Sequence, residues 1–97
     1  MNLHAANILY DEAIDLSGAF IRRTNLSGVN LQYADFSGAD CTNAIFRGAN
    51  LTGANLKGAM LKGADFSGVV GLTREQIMEA ITDKNTILPS YLAVSSS

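Results

Sequence analysis

The chain of 97 residues contains one cysteine, one histidine and one proline. With Cys41 alone, no internal disulfide can form, and a lone thiol in an apolar column reads as buried and inert rather than as a nucleophile. His4 has no second ligand within reach in sequence, so it reads as a solvated imidazole and not as part of a metal site. No Ser–His pairing, phosphate-binding loop or cysteine cluster occurs, and the acids are scattered, so no catalytic residues, metal or cofactor are expected. Charge of either sign is scarce: seven basic and nine acidic residues leave a net charge of −2. That balance fits neither a nucleic-acid binder nor a strongly acidic decoy, so no direct nucleic-acid partner is expected. The N-terminus lacks the basic segment and apolar stretch of a secretion signal, and no apolar run approaches membrane-spanning length. The expectation is a cytoplasmic protein without a membrane partner.

What the chain has in abundance is a five-residue rhythm. Eleven gapless blocks run from Ile14-Asp15-Leu16-Ser17-Gly18 to Ala64-Asp65-Phe66-Ser67-Gly68. Each reads small apolar, Asn or Asp, large apolar, polar, Gly. The large column is Leu16, Ile21, Leu26, Leu31, Phe36, Cys41, Phe46, Leu51, Leu56, Leu61 and Phe66, the expected core, and no polar residue enters it. The column two places earlier becomes uniformly Ala from Ala34 to Ala64. Arg23, Tyr33 and Asn43 interrupt the Gly column, and Phe20, Ile45 and Met60 interrupt the Asn/Asp column.

A helix cannot carry this pattern, because at about 100° per residue a five-residue period spirals over every face. A flat strand fails too, since an odd period sends successive Leu residues to opposite faces. A chain that turns a corner once per block satisfies both, with every large side chain pointing to a common axis. The result is an all-β solenoid.

Blocks such as Ala34-Asp35-Phe36-Ser37-Gly38, Ala49-Asn50-Leu51-Thr52-Gly53 and Ala54-Asn55-Leu56-Lys57-Gly58 resemble the pentapeptide repeat family, and the helix and tail after Gly68 resemble the endings of its short, particularly cyanobacterial, members. The resemblance implies a right-handed, quadrilateral parallel β-helix with four blocks per coil. Residues twenty apart then stack, which puts Leu16/Phe36/Leu56, Ile21/Cys41/Leu61, Leu26/Phe46/Phe66 and Leu31/Leu51 in files. Phe36 and Phe46 would face each other across one layer, with a small Cys41 between them.

The ends depart from the rhythm. Leu3 and Ile8 are five apart, but Ile8 precedes Leu16 by eight, so Asp11-Glu12-Ala13 is an insertion after an imperfect first coil over residues 1–10. After Gly68, Thr73 and Gln76 have the spacing of a capping box, and Leu72 and Ile77 that of a hydrophobic staple. A helix over about residues 74–82 follows, with Ile77, Met78 and Ile81 on one side, then an extended apolar tail, Ile87 to Leu92, in which Pro89 opposes further helix. The expected organisation is a β-helix domain over residues 1–71, a capping helix and tail over 72–94, and a disordered Ser95-Ser96-Ser97. The cap residues would be Leu72, Thr73, Gln76, Ile77 and Ile81.

Functionally, this pattern points to a non-enzymatic structural or protein-interaction module. Phe20 and Met60, flanked by Arg22, Arg23 and Lys62, fall on one wall and form the candidate contact surface. Self-association through the N-terminal edge is the second expected contact. The alternative that the resemblance suggests is a DNA mimic that binds DNA gyrase or another type II topoisomerase. A long acidic rod would serve that role, whereas Arg22, Arg23, Arg47, Lys57 and Lys62 interrupt the wall positions here.

Overall fold

A computed structural model describes residues 13–92. The expected first coil over residues 1–10, with His4, and the terminal Ser95–Ser97 lie outside them. Within the described residues the chain climbs as a parallel β-helix with one β-bridge per block. The bridges run Asp15–Asp35–Asn55, Phe20–Asp40–Met60–Ile81, Asn25–Ile45–Asp65–Ile87 and Asn30–Asn50–Val70. Four files, each stepping twenty residues until the tail, where the steps are twenty-one and twenty-two, define a four-sided coil.

Each block makes a corner and a rung. In the first, the Ala19 N–H donates to the Leu16 carbonyl at 3.1 Å, closing a turn whose third residue, Gly18, has φ +68°. Turns of this kind demand a positive φ at that position, which is why Gly recurs there. The rung is intercoil: the Leu16 N–H donates to the Asp35 carbonyl at 2.8 Å and the Asp35 N–H to the Ile14 carbonyl at 2.9 Å. The odd period is thus reconciled with β pairing, because pairing lasts for one short side and then the chain turns.

The large column lines the tube. Phe36, Cys41, Phe46, Leu51, Leu56, Leu61 and Phe66 are each 0% exposed and Leu31 1%, and no buried residue among those described is polar. Leu16, Ile21 and Leu26, in the first described coil, are only half-buried. The Phe36 and Phe46 rings meet edge to face at 5.7 Å, and Phe46 stacks on Phe66 at 4.7 Å. Cys41 sits on the side between the two opposed rings, as the stacking arithmetic expects.

The C-terminal segment differs from its sequence reading. The helix, α1, spans only Arg74–Met78, with Thr73 as N-cap and a complete capping box with Gln76. Ile81, expected on the helix, is instead a bridged residue. Its N–H donates to the Ala59 carbonyl at 2.8 Å and its carbonyl accepts from Leu61 at 2.7 Å. Helical spacing loses here to an open β edge, whose unpaired backbone groups offer two hydrogen bonds for one residue of helix. Ile87 repeats the device on the next side, accepting from Phe66 and donating to Ala64. The expected extended tail ends early, in a turn where the Leu92 N–H donates to the Pro89 carbonyl.

Side chains finish what the tail backbone leaves open. Gln76 Nε2 donates to the carbonyls of Leu51 and Ala54 at 3.1 and 2.9 Å, while its Oε1 accepts from the Thr73 N–H. Asp83 Oδ1 accepts from the Gly63 N–H, Thr86 Oγ1 donates to the Leu61 carbonyl, and the Tyr91 hydroxyl accepts from the Leu72 N–H. Leu72 is 2% exposed beneath this segment, and Ile77 packs against the core.

A candidate interaction wall

The outer walls carry the polar residues, and most of those are spent on the scaffold. All eight Asn or Asp residues of the column from Asp15 to Asp65 accept, through Oδ1, a hydrogen bond from the backbone N–H two residues on. In five of them the Ser or Thr hydroxyl at that position donates as well. These are Asx turns, which anchor each corner from outside. The Asn-x-Ser and Asp-x-Thr spacing signals them in the sequence, yet the column read there only as an outward polar position.

The same bonds set the acidity of the carboxylates. The Ser17 hydroxyl, then its N–H, holds Asp15 below the usual carboxylate range. The Thr42 hydroxyl and N–H do so for Asp40, with a smaller contribution from the Arg22 charge. For Asp65, burial pushes upward, but the Ser67 hydroxyl and N–H together with Arg47 outweigh it. Ionised and hydrogen-bonded, these groups act as fixed acceptors rather than as acids or bases. Burial, assisted by the Asp40 charge, pushes the Cys41 thiol up to about 12, the pattern of an inert thiol. No cluster of three or more His, Cys, Asp or Glu side chains suited to a metal occurs among the described residues.

The side that carries Phe20 is different. Phe20 is 85% exposed, the highest value among the exposed large hydrophobic residues described. Met60 lies two coils on, but the file runs through Asp40, so the two apolar groups expected to form a pair are separated by a carboxylate. Asp40 in turn pairs with Arg22 Nε at 3.5 Å. At the C-terminal end Met60 is bridged to Ile81, which is 43% exposed. Arg23 and Lys62 are exposed at the same side, and Arg23 stands at a corner with φ 59°. The structure therefore brings Phe20, Arg22 and Arg23 together in one block, and sets Met60 and Lys62 apart from them beyond Asp40.

The fold defines the class of protein: a four-sided parallel β-helix whose interior is apolar and whose outer acids are engaged in turns. Pentapeptide repeats, in eight copies, match residues 12–40 and 34–70, and the chain belongs to that family. It is similar to a solved pentapeptide repeat protein, Rfr23, from the cyanobacterium Cyanothece 51142, at 39% identity and a TM-score of 0.69 over 78% of this chain and 51% of that one. It is also similar to HetL, a pentapeptide repeat protein involved in heterocyst differentiation regulation from Nostoc sp. strain PCC 7120, at 35% identity and a TM-score of 0.58 over 69% of this chain and 29% of that one. The chain thus spans about half the length of the first and under a third of the second. A comparison with curated protein sequences finds no match. With family and relatives, the coil is a right-handed β-helix. Among the described residues no helix is long and apolar enough to cross a membrane.

Proposed function

We propose that this protein is a non-enzymatic interaction module of the cytoplasm, a rigid β-helix that meets a protein partner through the Phe20 side. One observation carries the reading: the column acids are used to hold corners, while a phenylalanine stands 85% exposed on the same lattice. Rigid walls suit recognition because little ordering entropy is lost on contact. Of the two relatives, HetL is described as involved in a regulatory process, the kind of role such a module serves. In this reading the segment from Leu72 to Leu92 is a lid that closes the C-terminal edge and shields the last core layer. Substituting Asp for Phe20 and for Met60 tests the proposal. Proteins cross-linked to the wild-type chain in extracts of its source should be lost, and an unchanged set removes the Phe20 side from consideration.

End-to-end association extends the proposal to the N-terminal edge. An open end of a parallel β-helix offers unpaired backbone groups to a second copy. Sedimentation as a monomer at high concentration counts against this contact. Gyrase binding by DNA mimicry is not favoured by the surface. Arg22, Arg23, Arg47, Lys57 and Lys62 stand among the wall acids, and a supercoiling assay with excess protein should leave gyrase unaffected.

A further inference from the structure

The block Ala19-Phe20-Ile21-Arg22-Arg23 breaks the outward rules of the repeat at two positions, the Asn/Asp and the Gly, and carries arginine at the polar one between them. Phe20 replaces the Asn or Asp whose Oδ1 would accept the N–H of residue 22, a bond present in every Asx-containing block. Arg22 fills the polar position, as Gln32, Arg47, Lys57 and Lys62 do in other blocks, and brings a second cation beside Phe20. Arg23 replaces Gly at a corner with φ 59°, a conformation that glycine adopts freely and arginine does not. Tyr33 and Asn43 share that backbone strain, but their blocks keep the Asx bond of Asn30 and Asp40. The Asx residue and the corner glycine are lost together in this block alone among the eleven, with Phe20 85% exposed and only the Arg22–Asp40 contact in return. Local rules broken together in this way mark functional sites.

We propose, on the basis of the interaction-module reading, that Phe20, Arg22 and Arg23 form a docking anchor for an acidic protein segment, with Phe20 entering an apolar pocket between two carboxylates of the partner. Charge complementarity selects this occupant. The side bearing the anchor presents Arg22, Arg23 and Lys62, with the carboxylate of Asp40 between them and that of Asp83 at the far end, held against Gly63, so the cations predominate around Phe20 on a chain whose net charge is −2. Arg22 is steered by its Asp40 contact at 3.5 Å, and Arg23 makes no ion pair among the described residues. Aromatic and arginine side chains are also the ones that dominate binding energy at protein interfaces. A phosphate backbone is a poorer fit, since Asp40 lies in the middle of the side and the chain as a whole repels polyanions.

The test is a selection of displayed random peptides on the full chain, counter-selected on the repaired variant Phe20→Asn/Arg22→Ser/Arg23→Gly. Selected peptides should carry Asp or Glu on both sides of a cluster of apolar residues. Their affinity should fall at least about tenfold in Arg22→Ser/Arg23→Gly and weaken with salt. The repaired variant should melt at a higher temperature than the parent, because it regains an Asx bond and a corner glycine. Absence of any peptide that discriminates parent from repaired variant overturns the proposal, as does repair that lowers the melting temperature. Binding of a single-stranded oligonucleotide at physiological salt that needs the same three residues overturns it in favour of nucleic acid. Phe20-dependent peptides without acidic residues overturn the charge assignment while leaving the interaction-module reading standing. Loss of Phe20 dependence altogether removes both.

Discussion

Gln76 joins the C-terminal segment to the coil through both ends of one amide, and substitution by glutamate separates its two roles. The introduced carboxylate retains the volume of the side chain and the acceptor that receives the Thr73 N–H at 2.6 Å. It lacks the N–H groups that reach the Leu51 and Ala54 carbonyls. Leaving a hydrogen-bond acceptor without its donor costs about 1–3 kcal/mol when buried, and the two carbonyls here are only half-buried, so at about 1–2 kcal/mol each Gln76→Glu should destabilise by about 2–4 kcal/mol. For a chain of this length that corresponds to a fall in melting temperature of about 10–20 °C. The effect should depend on pH. Facing two carbonyls, the new acid is better tolerated neutral, so its folded pKa lies above the unfolded value of about 4.3. The folded state then binds more protons, and the difference from wild type should be smallest below about pH 4.3 and grow as pH rises through the folded pKa. Urea denaturation of both chains at several pH values measures this. A loss under about 0.5 kcal/mol at pH 7 would show that the two carbonyl contacts contribute nothing, and the reasoning would fail.

Other perturbations probe the core, the corners and the walls. Cys41→Leu should overpack the layer between Phe36 and Phe46 and cost about 1–3 kcal/mol, and an unaltered melting temperature would contradict the filled layer. In the native protein the Cys41 thiol, pushed up to about 12, should resist thiol reagents at neutral pH until the chain unfolds. Gly48→Ala, where a new Cβ meets nothing, should cost about 1–2 kcal/mol from its φ of +72° alone. Gly53→Ala should cost more, because its Cβ would lie 2.5 Å from the Tyr33 ring, and a Tyr33→Gly background should remove the excess. Equal losses at the two glycines would refute the overlap. Asp15, Asp40 and Asp65 have folded pKa values below their unfolded ones, so their contribution is present above about pH 4 and lost as pH falls through the folded values. The urea midpoint should therefore drop on acidification, and less so when Asp40 is replaced by Asn, which keeps the acceptor.

The periodicity, together with the four blocks per coil that the family resemblance implies, made the interior legible. Residues twenty apart stack, and the opposition of Phe36 and Phe46 follows by counting, because a repeated block leaves no freedom in register. The same counting places Asp40 between Phe20 and Met60, which divides the supposed apolar pair. The length of the C-terminal helix was not legible, since Ile81 satisfies helical spacing and β pairing equally, and the competing partner, Met60, lies twenty-one residues earlier. Nor could the capping-box spacing reveal the second role of Gln76, whose acceptors are 22 and 25 residues away. The outer wall was read by residue type, but its Asn and Asp side chains are consumed locally. What distinguishes the anchor block is therefore that it lacks both the Asx bond and the corner glycine, a coincidence whose cost is visible only once the bonds of its neighbours are seen.

Residue-resolved amide hydrogen exchange tests the central claim most directly. In the three blocks over residues 34–48 the N–H groups of the second, third and fifth residues donate between coils, as at Asp40, Cys41 and Asn43, whereas the fourth, at Ser37 and Thr42, donates only to a side chain. Protection should therefore repeat every five residues through the second coil, slow at 35, 36, 38, 40, 41 and 43 and fast at 37 and 42. Uniform protection along those residues, or a period near 3.6, would contradict a β-helix wound by quintets.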